Sequence, residues 1–546
     1  MTTRAETPLA GQPASLRPDP APLRILVADP IATDGVDRLR AAGEVDVATG
    51  LSPAELIARI AGYDALVVRS ETRVTAEVLA AATRLRVVGR AGVGVDNIDI
   101  DAATRRGVLV LNAPTGNTIA AAEHAVAMML ALARNIPAAD ASLRAGRWER
   151  SRLIGVELRD RTLGILGLGK IGFEVARICG EGLRMRVLAH DPLVTHDRAE
   201  QAGAELVDLD TLLAESDVIS VHVPLTERTR GVIGAAELRR MRPGARIINV
   251  ARGGIIDEAA LAEAVRSGVI AGAAIDVFTK EPATAENPLV GVDGIVVTPH
   301  LGASTAEAQV NVAADVAEQI IEYLRGGSPR SAVNAPAVNP EELARLRPYL
   351  ELARKMGSLA AQLSSGGVRR VVCSYAGELA DVDTTLLTAE VLRGLLGHYS
   401  DARVNAINAK TIARSMNVDV DEHTTTRRVD HANSMFVEVV GEQRLLVAGT
   451  HFEGVPRITR IDDFRVDMHP AGTFLVVQHE DRPGVIAAVS TLLAGNDINI
   501  ARIELGRDRP RGRAVMLMEI DDAVDSDMLD RLASEAHLEQ LRQVRL

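Results

Sequence analysis

At 546 residues the chain exceeds what one hydrophobic core holds, and at about 150 residues per domain it divides into three or four. Apolar residues at 47% and charged residues at 25% are ordinary for a globular chain, while aromatics at 2% leave Ala, Val, Leu and Ile to fill the cores. A formal net charge of -12 repels phosphate backbones and anionic lipid, which excludes nucleic acid and membrane surfaces as general partners.

In chain order, residues 1–22 are Pro- and Ala-rich and lack the basic start and apolar run of a secretory signal, so a disordered tail is expected. From Leu23 short apolar runs alternate with amphipathic segments: RILVAD, VDVA, PAELIARIAG, ALVVR, VTAEVLAAA, RVVGRAG, VLVLNAP. Strands followed by helices imply a parallel sheet covered on both faces. From Asn117 the run TIAAAEHAVAMMLALARNIPAADASLRAGRW has apolar residues at helical spacing and predicts one long helix joining two domains. Its uncharged stretch Ala125 to Ala133 falls far short of the roughly 20 residues that cross a bilayer. A second alternating series starts at Thr162 with TLGILG, RVLAHD, VISVHVP, RIINVA, VIAGAAIDVF and GIVVTPH, a second parallel sheet.

A helical pattern then runs to Leu324, and SPRSAVNAPAVNP breaks it, which puts a domain boundary near Val333. To about Ala471 the signals are mixed: a helix around Pro340 to Leu363, a strand RRVVCSYAG and a hairpin FVEVVGEQRLLVAGT, an α+β block. The last segment reads TFLVVQHE, the turn DRPG, helix VIAAVSTLLAGN, strands INIARIEL and RAVMLMEI, helix SDMLDRLAS and a final strand. That βαββαβ order is ferredoxin-like. Cys179 and Cys373, the only cysteines, are too few and too far apart in sequence for a disulfide framework or a cysteine metal site. A reducing, cytoplasmic setting and no metal are expected.

The chemistry begins at Gly167-Leu168-Gly169-Lys170-Ile171-Gly172, a GxGxxG between a strand and a helix. Gly167 closes the strand, Gly169 permits close approach of a pyrophosphate, and Gly172 lets the helix pack on the sheet with its amides toward the phosphates. Asp191, nineteen residues after Gly172 and at the end of RVLAHD, suits the adenosine ribose and favours NAD over NADP. Three polar residues interrupt or end later apolar strands: Arg252, Glu281 and His300. A guanidinium fork at Arg252 can hold a carboxylate, His300 can exchange protons with a hydroxyl, and Glu281 can orient that ring if the two meet.

GRAGVGVDNID, NAPTGNTIAAAEHA, LGILGLGKIG, NVARGGIIDE, AIDVFTKEP and TPHLGAST together resemble the D-isomer-specific 2-hydroxyacid dehydrogenases, in their long form with intervening and ACT domains. The resemblance covers nearly everything after residue 23. It implies two doubly wound parallel-sheet α/β domains, a discontinuous substrate domain (23–117 plus 303–332) and an NAD domain (118–302). An α+β intervening domain (333–471) and a ferredoxin-like ACT domain (472–546) follow. It places the catalytic set on Arg252, Glu281 and His300. Cofactor contacts fall on the glycine turn, Lys170, Ile171, Asp191, Val250, Ala251, Arg252, Asp276, His300, Leu301, Gly302 and Ala303. The implied reaction is NAD-dependent oxidation of 3-phospho-D-glycerate, the entry to L-serine synthesis, with reduction of 2-oxoglutarate as a side activity. Arg69 matches a substrate-contacting arginine, with Arg73 second. His479, Asp481 and Asn499 match positions through which similar ACT domains hold an amino acid, here L-serine. A homo-oligomer, dimer or tetramer, is expected to pair along the helix after Asn117 and between ACT domains. Two other readings share the catalytic residues: a glyoxylate or hydroxypyruvate reductase, and a non-catalytic NAD-sensing scaffold. An ACT-like tail argues against both.

Overall fold

The computed structural model describes residues 22–327, 330–335, 340–400, 403–536 and 538–546. The expected N-terminal tail lies outside these residues save for Pro22.

Five strands, β1 (Arg24–Val27), β2 (Glu44–Val47), β3 (Ala65–Val68), β4 (Val87–Arg90) and β5 (Leu109–Asn112), form a parallel sheet in the order β2-β1-β3-β4-β5. The central strands are continuous apolar runs because helices cover both faces. One covering helix, Ala306–Leu324, comes from much later in the chain and packs so tightly that a Cβ on Gly89 would sit 2.5 Å from Ile320 Cδ1. Beyond it the chain stays on this sheet: Leu111 bridges Ala332, and the Val110 amide donates to Asn334 Oδ1 at 2.8 Å.

The second parallel sheet holds β6 (Thr162–Leu166), β7 (Arg186–His190), β8 (Ala204–Leu206), β9 (Val218–Val221), β10 (Arg246–Asn249), β11 (Gly272–Ile275) and β12 (Ile295–Val297). Its order is β12-β11-β10-β9-β6-β7-β8, so the winding reverses between β6 and β9. That switch point opens a crevice at the carboxyl ends of the strands, where open α/β sheets bind ligands. Between the two sheets the expected single helix is two, Thr118–Ala133 and Ile136–Arg144, bent by 61°. Asn135 takes a left-handed φ of 53°, and Pro137 in the next turn cannot donate to a continuing helix. Among the described residues no single helix is long and apolar enough to cross a membrane; this bent pair passes only when joined.

Six strands make the third sheet: β13 (Arg370–Gly377), β14 (Asp419–Thr425), β15 (Asn433–Val440), β16 (Arg444–Phe452), β17 (Val455–Ile461) and β18 (Phe464–Met468). Helices Pro340–Leu363 and Thr385–Leu396 pack with it around Leu352, Met356, Leu392 and Tyr375. The fourth sheet, β19 (Thr473–Glu480), β20 (Ile500–Arg507), β21 (Arg513–Ile520) and β22 (Gln540–Arg545), is antiparallel in the order β20-β21-β19-β22. With helices Val485–Ala494 and Ser526–Glu535 it has the expected βαββαβ plan.

Candidate active site

The glycine turn leaves β6 at the switch point. Gly167 has φ 96°, a left-handed conformation that also brings it against the His222 backbone. At Gly172 a Cβ would lie 2.1 Å from the Gly167 carbonyl oxygen, so only glycine lets helix Lys170–Arg177 start this close to the turn. A Cβ on Gly169 would meet nothing within 4 Å, which leaves open space over the helix N-terminus, and no side chain caps that end. Free helix amides facing open space suit a pyrophosphate. Asp191 ties the arrangement together: Oδ2 accepts from the Leu168 amide at 2.9 Å and Oδ1 from Leu193 at 2.9 Å. Nearby His222, bonded through Nε2 to Ser220 Oγ at 2.8 Å, is pushed by burial down to about 4 and stays neutral.

His300 and Glu281 meet. His300 Nδ1 lies 2.8 Å from Glu281 Oε2, and Glu281 Oε1 accepts from the Phe278 amide at 3.0 Å. Burial opposes ionisation of Glu281, but the hydrogen bonds from His300 and Phe278 outweigh it and hold the carboxyl below its usual range. His300 itself has φ 56°, and the turn that carries it is held by Asp276. The Asp276 carboxylate, fully buried, accepts from the Leu301 amide at 2.8 Å, the Gly302 amide at 2.9 Å and Thr298 Oγ1 at 2.6 Å. His124, from the helix before the bend, approaches the same oxygen at 3.2 Å. Asp276 thus sits behind the His300–Gly302 turn, with its oxygens turned to protein donors.

Arg252 follows β10. Asn249 shapes its loop by donating to the Arg252 carbonyl at 2.9 Å and accepting from the Ala251 amide at 3.0 Å. A Cβ on Gly253 would fall 2.0 Å from the Phe278 carbonyl, so the Arg252 loop and the Glu281 loop are in backbone contact. Val250 is likewise against Gly302, where a Cβ would lie 2.9 Å from Val250 Cγ1. The Arg252 guanidinium reaches across to the first domain: Nε donates to Asp96 Oδ2 at 3.2 Å, and Gly94 leaves the space it fills.

Arg90, absent from the expected site, stands here too. It ends β4, and Gly92, with φ 154°, makes room for its guanidinium, since a Cβ there would collide with it. Burial, with repulsion from Arg252 and Arg69, lowers its pKa to about 10, and its buried Nε has no partner among the described residues. Arg69 is positioned through its backbone: its amide donates to Asp29 Oδ2 at 2.6 Å and its carbonyl accepts from Asn97 Nδ2 at 2.7 Å. Arg73 is exposed one residue beyond Thr72, which Asp29 also binds. Arg69, Arg90 and Arg252 thus lie near enough to one another at the domain cleft for their charges to repel. The signal was present in GRAG, an arginine at a strand's C-terminal end two residues before a glycine.

In the terminal domain His479 is buried, with Nδ1 2.6 Å from the Glu480 carbonyl and Nε2 without a partner among the described residues. Asp481 accepts from the Arg511 amide at 2.9 Å and from Arg507 at 3.1 Å. Asn499 donates to Asp521 at 2.7 Å. One chain does not bring the three together: His479 pairs with Ala514 on β21, whereas Asn499 precedes Ile500, which pairs with Ile520. At about 3.3 Å per residue those ends are roughly 20 Å apart.

Fold and site define a nicotinamide-dependent dehydrogenase of 2-hydroxy acids. Family models agree: the D-isomer specific 2-hydroxyacid dehydrogenase NAD binding domain matches residues 126–302, the D-3-phosphoglycerate dehydrogenase intervening domain 345–462, and the ACT domain 473–537. D-3-phosphoglycerate dehydrogenase of Archaeoglobus fulgidus is 47% identical over 93% of this chain and 97% of its own. The Bacillus subtilis enzyme of that name is 40% identical over 94% and 97%. Among solved structures, D-lactate dehydrogenase from Aquifex aeolicus with NAD and lactic acid aligns with 57% of this chain and 99% of its own, at 26% identity and TM-score 0.52. The chain belongs to the D-3-phosphoglycerate dehydrogenase family, and its cofactor is NAD.

Proposed function

We propose that the chain oxidises the 2-hydroxyl of 3-phospho-D-glycerate to 3-phosphohydroxypyruvate. The observation that carries this is the Arg69–Arg90–Arg252 cluster. A simple 2-hydroxy acid offers one carboxylate, which a single bidentate arginine satisfies; the surplus guanidiniums call for a second anionic group, and a phosphate supplies it.

Arg252 holds the substrate carboxylate from the NAD-domain side, while Arg69 and Arg90 take the phosphate from the other. Because His300 Nδ1 is engaged by Glu281, Nε2 is the nitrogen left to take the hydroxyl proton. Glu281, ionised, stabilises the resulting imidazolium and keeps the ring in place. Bound NAD, seated on the Gly167–Gly172 turn and Asp191, supplies the hydride acceptor. Asp276 sets the His300 turn from behind. In the reverse sense the same groups reduce a 2-oxo acid, which accommodates 2-oxoglutarate as a side substrate.

L-serine is the effector we assign to the ACT domain. Two copies are needed for it: His479 and Asp481 lie at one end of the sheet and Asn499 at the other, so one site combines residues of two chains. Edge strand β20 exposes Ile503 and Leu505, as a strand that meets a second copy does.

The test is NADH absorbance with purified protein, NAD and a panel of 2-hydroxy acids, with and without L-serine. Preference for 3-phospho-D-glycerate and inhibition by L-serine are expected. Equal or better turnover of glycerate or glycolate would overturn the substrate, and indifference to L-serine the effector.

A further inference from the structure

A cavity of about 350 Å³ lies where the first domain meets the intervening domain, apart from the residues that line the NAD crevice. Its first-domain wall is Arg86, Leu109 and Tyr323; its other wall is Arg347 and Leu350 of helix Pro340–Leu363 with Arg393 of helix Thr385–Leu396. The size is that of a small-ligand pocket. Its charge is one-sided. Arg86 stacks over the Tyr323 ring at 5.9 Å, and Arg393 meets Glu390 at 3.3 Å. Among the described residues, Arg86 and Arg347 have no carboxylate partner within ion-pair distance. Among the described lining residues, three guanidiniums against one carboxylate, around an apolar floor of Leu109, Leu350 and Ile407, fit an anionic head on a short carbon body.

The position adds meaning. Arg86 precedes β4 and Arg90 ends it, so one four-residue strand, about 13 Å long, joins this cavity to the anion cluster of the active site. The opposite wall is docked by side chains: Asn405 Nδ2 donates to the Gly107 carbonyl at 2.7 Å, and Gly107 leaves no room for a Cβ beside it.

The geometry points to this cavity as a second anion site, taking a small organic carboxylate or phosphate that bridges Arg86 to Arg347 and Arg393 and so clamps the intervening domain onto the substrate domain. It is separate from the ACT effector site.

Hydrogen–deuterium exchange of the full chain with NAD, titrated with citrate and, separately, inorganic phosphate, tests it. Protection is expected at Tyr323–Gly327 and at Asn405–Ile407, and the anion giving the lower midpoint identifies the head group. In the double variant Arg347→Ser/Arg393→Ser the midpoint should rise about a hundredfold, one order of magnitude for each guanidinium removed, while kcat and KM without added anion stay at wild-type values. Protection by neither anion, or protection surviving unchanged in the double variant, would overturn the site.

Discussion

Glu281 faces the His300 ring and the Phe278 amide, and the two hydrogen bonds decide its charge. Its folded pKa lies below the ordinary 4.5, so its contribution to stability is complete above that value and is lost as pH falls through the lower, folded one. With 37% of the side chain exposed, solvent screening keeps that contribution small, and the role proposed for it is in proton transfer. In Glu281→Gln the imidazolium loses its carboxylate. We expect kcat to fall and the acid limb of the kcat/KM profile to move to lower pH; an unmoved limb would detach Glu281 from proton transfer. His300→Asn should lower kcat by roughly 10²–10⁴-fold, the usual worth of a general base. Arg90→Met should raise KM for 3-phospho-D-glycerate about ten- to hundredfold while leaving an unphosphorylated 2-hydroxy acid nearly untouched. Equal losses on both substrates would place Arg90 on the carboxylate instead. That Arg252 and His300 closely follow apolar strands was legible, whereas the meeting of His300 with Glu281 was not, because Glu281 lies six residues past β11 and only the fold brings the two together. Arg90 also ends an apolar strand, but its place in the cluster shows only once folding makes it a neighbour of Arg69 and Arg252, which lie far off in sequence.

Alternation of apolar runs and amphipathic segments exposed both parallel sheets, and the glycine spacing marked the strand–helix turn within the second. Local patterns succeed where a strand is buried on both faces, because burial leaves little freedom in residue choice. They fail at Asn135. Apolar periodicity continues past the bend, and the break is carried by one left-handed asparagine and a proline two residues on. The third sheet was visible only in outline because its strands are partly exposed and its pairing joins distant segments. Within the glycine turn, Gly172→Ala would set a methyl 2.1 Å from the Gly167 carbonyl oxygen. The helix must then retreat from the turn, and fluorescence titration should show NADH binding weakened by about tenfold or more; wild-type affinity would mean that the helix adapts at no cost.

On the molecular surface, the segment after the bend carries Trp148, 83% exposed, Ile154, 81%, and Leu143, 60%. So much apolar area on one stretch supports the proposal that two copies pair through their NAD domains. Leu143→Glu/Trp148→Glu should shift the sedimentation coefficient to that of a smaller species. The same coefficient as wild type would move the contact elsewhere. Asn499→Ala should blunt inhibition by L-serine with catalysis largely intact, and full inhibition would remove Asn499 from the effector site. The return of helix Ala306–Leu324 to the first sheet has a mechanical consequence. The NAD domain hangs from the substrate domain by two covalent crossings, one after Asn112 and one before Ala306. A body held at two points swings about the line between them and resists twisting across it. Any opening of the cleft between Arg252 on one side and Arg69 and Arg90 on the other is therefore confined to one arc, which would return the proposed carboxylate and phosphate grips to the same register.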